Sequence, residues 1–329
     1  MAGKTTGGIQ NVEMPDVRKT AAYYYDLDDL NAPVMLYFQP LNRFYHQNLQ
    51  QLARVADFLS EKADFPVSRI MVNRDGGYET KMNGRSWVLM SRPELEPRQQ
   101  RRSSADLLGE LHARTIGANL QAFPESPAAS RREKLSGRLD ALQGYYDRCR
   151  SEEDPSSFER TFIELFPYFS CCAENAVQMY ADDAIDYPNQ EQLCVGHYRY
   201  SIGEQEMTED PSQWVIDDRS RDLAEAMRLF AWRGAGDADV VANAFLDAYE
   251  ARFPLSEPVI ERMVGRLLYP LAFIECCERY FANQGDDQRM LELQLRRCGE
   301  KIKERERVLK GVIDRYEGRM HAPEWLIRP

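Results

Sequence analysis

The sequence lacks several features that would assign it quickly. Its seven cysteines include no CxxC spacing, and its four histidines show no paired ligand spacing. A zinc site and a disulfide framework are therefore both disfavoured, and the cysteines read as reduced core thiols. No apolar run approaches the roughly 20 residues of a membrane helix, and the N-terminus has no signal-peptide profile. The expectation is a cytosolic protein without a membrane partner. Gly3-Lys4-Thr5 ends like a phosphate-binding loop, but no strand pattern precedes it, so it is set aside.

What is present is ordinary in amount and uneven in placement. The chain has 329 residues, 43% hydrophobic and 29% charged, with net charge -11. Residues 1–100 hold 12 basic and 12 acidic side chains, and the remainder holds 30 and 41. That acidic excess opposes binding to nucleic-acid phosphates. The basic clusters Arg98–Arg102 and Arg131–Lys134 read as solvated helix ends or loops. The length suits two domains, or one fold with two lobes.

The first hundred residues suggest strand, helix, strand, strand. Tyr23-Tyr24-Tyr25 is read as the end of a short strand, and Pro33–Phe38 as a better one. Leu49, Leu52, Val55, Phe58 and Leu59 recur at helical spacing within 42–62. Arg69–Val72 and Ser86–Met90 are apolar runs separated by turn-rich Asn73–Gly77 and Asn83-Gly84. Residues 91–103 are polar and proline-bearing, the expected linker.

Beyond it the pattern is mostly helical. Ser104 is the expected cap of a helix carrying Leu107, Leu108, Leu111 and His112. Helices follow over 131–150, 156–182 (containing Pro167), 223–233, 239–253 and 257–283. His112 is read as a partly buried helix residue. A final helix, 286–320, carries a seam of four- and three-residue steps through Leu291, Leu295, Cys298, Ile302, Arg305, Leu309, Val312 and Tyr316. Such a seam packs along another helix, in its own lobe or in a second copy of the chain.

The stretch from Leu193 to Arg228 has the spacing of a phosphotransferase site. His197-Tyr198-Arg199 stands where a kinase-like catalytic loop has His-x-Asp. Glu204 follows five residues later, where such a loop carries a metal-binding Asn. Trp214-Val215-Ile216-Asp217 reads as an apolar strand ending in an acid.

Together with Leu108-Gly109-Glu110-Leu111-His112-Ala113 and the block Val215–Glu225, these residues resemble the aminoglycoside-phosphotransferase-like kinases, and among them the spore-coat branch known as CotS and YutH. The resemblance covers about residues 33–320. It implies an α+β, bilobal protein-kinase-like fold, with an N-lobe over 1–95 (a small antiparallel sheet and one helix) and a helical C-lobe over 96–329. It also implies residence in the cytoplasm of the sporulating mother cell and then in the spore coat, with other spore-coat proteins as partners.

Against that pattern several working parts are missing. Phosphoryl transfer is mainly positioning and charge neutralisation. The strand over 33–40 has no lysine; its polar position is Gln39. The helix over 42–60 has no glutamate, and Glu61 comes only at its end. Arg199 stands at the base position, and a guanidinium stays protonated and accepts no proton from a hydroxyl. Losing clamp and base together removes several kcal/mol of transition-state stabilisation.

Catalytic and cofactor-binding residues are therefore expected to be absent, with His197 and Arg199 a remnant loop. Arg199 is expected to pair with Asp217 or Asp218. Asp222 is read as a structural anchor, capping the following helix or bonding to the loop. The leading reading is a non-catalytic coat structural or assembly protein without cofactor. The alternative is an active phosphotransferase using ATP and Mg²⁺ on a cationic substrate. Glu204, Asp217 and Asp218 would then hold the metal, and Asp183 or Asp186 would act as base. A third reading binds nucleotide without transferring phosphate.

Overall fold

A computed structural model describes residues 17–27, 34–46, 48–62, 65–93, 103–116, 128–188, 193–200, 210–234, 236–282 and 287–320. The chain divides into two units. One is Met1–Arg101 with Glu209–Gln213, the other Arg102–Thr208 with Trp214–Pro329. The division thus falls at 101/102 rather than 95/96, and a short later segment belongs to the first unit. That segment is held by backbone and amide groups: Tyr45 N donates to Ser212 O (2.9 Å), and Gln213 Nε2 to Arg43 O (2.7 Å).

The first unit is built on an antiparallel sheet. Strands β1 (Val34–Pro40), β2 (Arg69–Ile70) and β3 (Thr80–Met82) all pair with β4 (Arg85–Pro93). β1 pairs over its whole length with Trp87–Pro93 of β4, from Val34↔Pro93 to Pro40↔Trp87. The strand therefore runs three residues into the stretch expected to be linker; 94–102 of that stretch lie outside the described residues. Asn83 (φ 50°) and Gly84 (φ 72°) form the two-residue turn joining β3 to β4, where paired positive φ matches the twist of a hairpin. β3 was not expected. It is three residues long, and only the alternation of buried Thr80, exposed Lys81 and buried Met82 betrays it.

Two helices pack on this unit. The Tyr23–Tyr25 segment ends a helix, α1 (Val17–Tyr24), rather than a strand. Val17, Ala21, Tyr24 and Tyr25 fall at helical spacing, and all four join one small core with Leu36 and Leu89. The tyrosine run hid that period. Helix α2 (Leu49–Asp57) is capped by Asn48, whose Oδ1 accepts from Gln51 N, and it buries Leu49, Leu52, Ala53, Val55 and Ala56. It starts later than the expected residue 42, because a 3₁₀ turn, Leu41–Arg43, follows the strand first.

The second unit is a helical body around a single apolar core, with one two-stranded hairpin. Its helices are α3 (Ser104–Thr115), α4 (Ala128–Ser151), α5 (Ser157–Asp186), α6 (Ser220–Arg233), α7 (Ala238–Glu250), α8 (Glu257–Leu268), α9 (Leu271–Ala282), α10 (Gln288–Glu300) and α11 (Ile302–Arg315). α3 is capped by Ser103, not Ser104: Ser103 Oγ accepts from Asp106 N. α5 opens on a capping box between Ser156 and Glu159. Phe158, Phe162, Phe166 and Phe169, spaced by four, four and three, face the core along its first half.

Two helices expected to be continuous are interrupted. Pro270 separates α8 from α9, since it offers no N–H to the preceding turn. Lys301 (φ −93°, ψ 4°) separates α10 from α11, two residues after Gly299, a weak helix former. The C-terminal seam nonetheless stays on one side. Leu291, Leu295, Cys298, Leu309, Val312 and Tyr316 are all buried in the core of their own unit. No helix among the described residues is long and apolar enough to cross a membrane.

β3 is anchored through Thr80 Oγ1, which bonds to Tyr25 Oη at 2.7 Å and accepts from Asn73 Nδ2 at 3.4 Å, with Tyr25 fully buried. Thr80→Val keeps the shape and removes the side-chain partner of the buried Tyr25 hydroxyl. It should cost about 1–3 kcal/mol in chemical denaturation; an unchanged midpoint would show that water reaches the site.

Candidate functional site

The loop carrying His197 and Arg199 sits on the hairpin of β5 (Leu193–His197) and β6 (Trp214–Asp218), paired antiparallel from Leu193↔Asp218 to His197↔Trp214. Every residue of β6 is buried, and so is β5 after Leu193. A hairpin sealed on both faces reads as a continuous apolar run rather than an alternation. Thr115, at the end of α3, donates to Leu111 O and accepts from Val195 N at 3.1 Å, which ties α3 to β5.

Asp222, in the first turn of α6, holds this assembly from within. Its side chain has no exposure. Oδ1 accepts from the backbone N of His197 (2.9 Å). Oδ2 accepts from His197 Nδ1 (2.7 Å) and lies 3.3 Å from His112 Nε2. Gly196 makes the approach possible, because a Cβ there would stand 3.3 Å from both carboxylate oxygens. Burial alone would raise the Asp222 pKa. The interaction with His197 and the bonds from both histidines outweigh it and hold the carboxyl well below its usual range.

His112 is wholly buried, not partly, and burial depresses its pKa from the usual 6.5. A neutral ring with its proton on Nε2 donates to Asp222, and its Nδ1 accepts the Tyr249 hydroxyl at 2.8 Å. Burial keeps the Tyr249 proton in place, pushing its pKa well above 10.0. Asp222 is thus bonded to the loop, and the cap position of α6 is filled by Arg219, which makes no side-chain cap bond.

Asp217, at the end of β6, meets three guanidinium groups. Arg131 NH2 (2.6 Å) and Arg266 NH2 (2.7 Å) donate to Oδ1, and Arg221 NH1 (3.0 Å) to Oδ2. The Asp218 amide adds a fourth donor to Oδ1 at 2.7 Å. Burial would raise this carboxyl's pKa; Arg266, Arg131 and Arg221 together drive it far below the usual range. Arg221 also donates to the carbonyls of His197 (2.8 Å) and Tyr198 (3.2 Å), binding the loop to the cluster.

Asp218 is engaged separately. Its Oδ1 accepts from Ser220 N at 2.9 Å and its Oδ2 from Arg262 NH1 at 3.2 Å. Arg262 Nε lies 2.8 and 3.0 Å from the two oxygens of Asp183.

Arg199 does not pair with Asp217 or Asp218. It bonds to Glu275 of α9 and to its own loop at Tyr198 O (3.0 Å), with its guanidinium carbon 4.6 Å from the Tyr198 ring centroid. Asp217 already has four donors, and the arginine pairs with a carboxylate on the helical body instead. Glu204 lies outside the described residues. In the first unit Gln39 Nε2 donates to Asp210 Oδ2 (2.9 Å), and Glu61 accepts from Arg69 (3.0 Å).

This charge balance does not fit a divalent cation. A metal at Asp217 would stand beside three guanidiniums that already fill both carboxylate oxygens, and like charges at that distance repel strongly. Among the described residues no three metal-ligating side chains converge anywhere. Asp183 makes a poor base for the same reason, since Arg262 occupies both of its oxygens. Asp186 is an exposed residue in the last turn of α5.

Residues 23–312 match the family described as "Spore coat putative kinase YutH". The chain belongs to that family. A relative, the endospore coat-associated protein YutH of Bacillus subtilis (strain 168), is 25% identical over 286 residues, which are 85% of this chain and 84% of the relative. Among solved structures, an aminoglycoside phosphotransferase from Alicyclobacillus acidocaldarius superposes with a TM-score of 0.71. It is 12% identical, and the match covers 94% of this chain and 98% of that one. A spectinomycin phosphotransferase in complex with ADP and spectinomycin gives a TM-score of 0.55 at 9% identity, over 86% of each chain. At such identities the likeness establishes the fold: this family member has the α+β, kinase-like fold of the aminoglycoside phosphotransferases.

The family motif led to His197, Asp217 and Asp222 but not to their partners. Arg131 read as part of a solvated cluster, and Arg262 and Arg266 were not singled out. The latter two had a usable signal. An arginine inside an otherwise apolar helix, as in Val264-Gly265-Arg266-Leu267-Leu268, must find a buried carboxylate.

The neutral His112 sets a pH dependence. Its folded pKa is depressed, so below about pH 6.5 the unfolded chain binds a proton that the folded chain does not. This contribution is complete above that pH and fades on acidification. Melting temperature should fall from pH 7.5 to 5.5, and fall less in His112→Gln. A flat wild-type profile would contradict the assignment.

Proposed function

We propose that this chain is a non-catalytic kinase-like protein that serves the spore coat as a structural or assembly component and binds neither nucleotide nor magnesium. The observation that carries this reading is the engagement of Asp217 by Arg131, Arg221 and Arg266. In the family pattern this acid holds a metal; here three fixed side-chain cations take that electrostatic place. Arg199 supports the reading independently, because the base position carries a group that accepts no proton. Gln39, where the pattern has a phosphate-binding lysine, is occupied with Asp210.

The coat role rests on family membership and on the name of the Bacillus subtilis relative. Other coat proteins are the proposed partners, met first in the cytoplasm of the mother cell. A second copy joined through the C-terminal seam is the weaker reading, since that seam is already buried. The acidic net charge speaks against nucleic acid.

Two measurements test the two halves. ATP with Mg²⁺ at millimolar concentration should leave the melting temperature unchanged. Asp217→Asn should lower stability by about 3–5 kcal/mol, because it leaves buried guanidiniums uncompensated. A nucleotide-dependent rise in melting temperature, abolished by Asp217→Asn, would establish the active or nucleotide-binding alternative instead. For the coat half, a fluorescent fusion expressed in a sporulating Bacillus lacking its own YutH should collect around the developing spore. Uniform cytoplasmic fluorescence through spore release would count against a coat role.

A further inference from the structure

The second unit contains a cavity of about 270 Å³ beside the loop, with Arg199 and Glu275 on its rim and the rest of its lining drawn from the helical body. It opens where the two helix interruptions meet, the Tyr269-Pro270 break after α8 and Lys301 between α10 and α11. Most of its wall is apolar, from Phe169 of α5, Trp232 of α6 and Phe273 of α9 among others. An apolar cavity of about 150 Å³ takes a benzene ring, so this one accommodates a flat body of roughly a dozen carbon atoms.

Its charges are opposite in sign to the acidic excess of the chain as a whole. Four cations line it, Arg199, Arg228, Lys301 and Arg305, against two acids, Glu225 and Glu275. Both acids are already paired, Glu275 with Arg199 and Glu225 with Arg228. Lys301 and Arg305 are different. Lys301 Nζ donates to Gly234 O at 2.8 Å. Arg305 donates to the carbonyls of Leu267 and Leu268 and to the Tyr168 hydroxyl. Their bonds go to neutral acceptors, and among the described residues neither has a carboxylate within salt-bridge reach. Glu306 approaches only through Tyr168, whose hydroxyl it accepts at 2.9 Å. The Nε of Arg228, moreover, is buried without an acceptor.

A concave apolar wall with a few convergent polar groups is the usual form of a small-molecule site. We infer that this cavity binds an amphipathic organic anion, a carboxylate on a flat apolar body, with the body against Phe169, Trp232 and Phe273 and the charge toward Lys301 and Arg305. A cationic amine, the substrate class that an acidic large lobe suggests, meets an unfavourable field at this place. The inference is independent of whether the chain transfers phosphate.

Isothermal titration calorimetry with 2-naphthoate tests it on the intact protein, with 2-naphthylmethylamine as the isosteric cation. Naphthoate should bind at one site per chain, at least about tenfold tighter than the amine, the worth of one charge-assisted hydrogen bond. Lys301→Gln should weaken naphthoate by about the same factor and leave the amine unchanged. Ala272→Trp, at the exposed rim of the cavity, should abolish naphthoate binding while the melting temperature stays near wild type. The comparison of the two probes on wild-type protein needs no variant. Equal or tighter binding of the amine, or no naphthoate binding at millimolar concentration, would overturn the inference.

Discussion

A carboxylate withdrawn entirely from water stays ionised only if the protein replaces its hydration, and Asp222 is such a group. Its donors come from β5, through the His197 backbone and ring, and from α3, through His112. Three elements far apart in sequence are therefore held to one pair of oxygens. The lack of a side chain at Gly196 belongs to the same device, because any Cβ would push into those oxygens. The hairpin is buried on both faces, so this polar anchor fixes its position where apolar packing alone would tolerate sliding.

Asp217, five residues earlier, has a counter-charge built entirely from side chains. A hydrated divalent ion can leave, and it brings nucleotide with it when it arrives. Arginines on α4, α6 and α8 do neither, and Arg221 also holds the loop carbonyls. Arg199, paired with Glu275, and the arginines around Asp217 both place fixed, compensated charge at this loop.

Much of the fold was legible. The Asn83-Gly84 turn, the β1 and β4 runs, the phenylalanine spacing of α5 and the C-terminal seam all follow from local chemistry that tertiary contacts then reinforce. The misreadings have physical reasons. α1 was hidden by three consecutive tyrosines with strand propensity, and β3 was too short to show a period. The breaks at Pro270 and Lys301 lay inside patterns whose apolar spacing continues across them. At the site, acids and loop residues were visible because the family motif names them. Their arginine partners come from distant helices, and ion pairing over such separations leaves no periodic trace. Arg199 was expected to pair with Asp217 or Asp218 and pairs with Glu275 instead, since Glu275 belongs to a helix that sequence alone could not orient.

The arginine cluster also bears on how the second unit assembles. Arg131, Arg221 and Arg266 reach Asp217 from three helices that lie well apart along the chain. A chain in which only one or two of them have docked leaves the acid partly compensated and the remaining guanidiniums exposed. Partly formed states thus gain little from the cluster, and the full gain arrives only when the last helix seats. The cluster thereby acts as a source of cooperativity in the helical body.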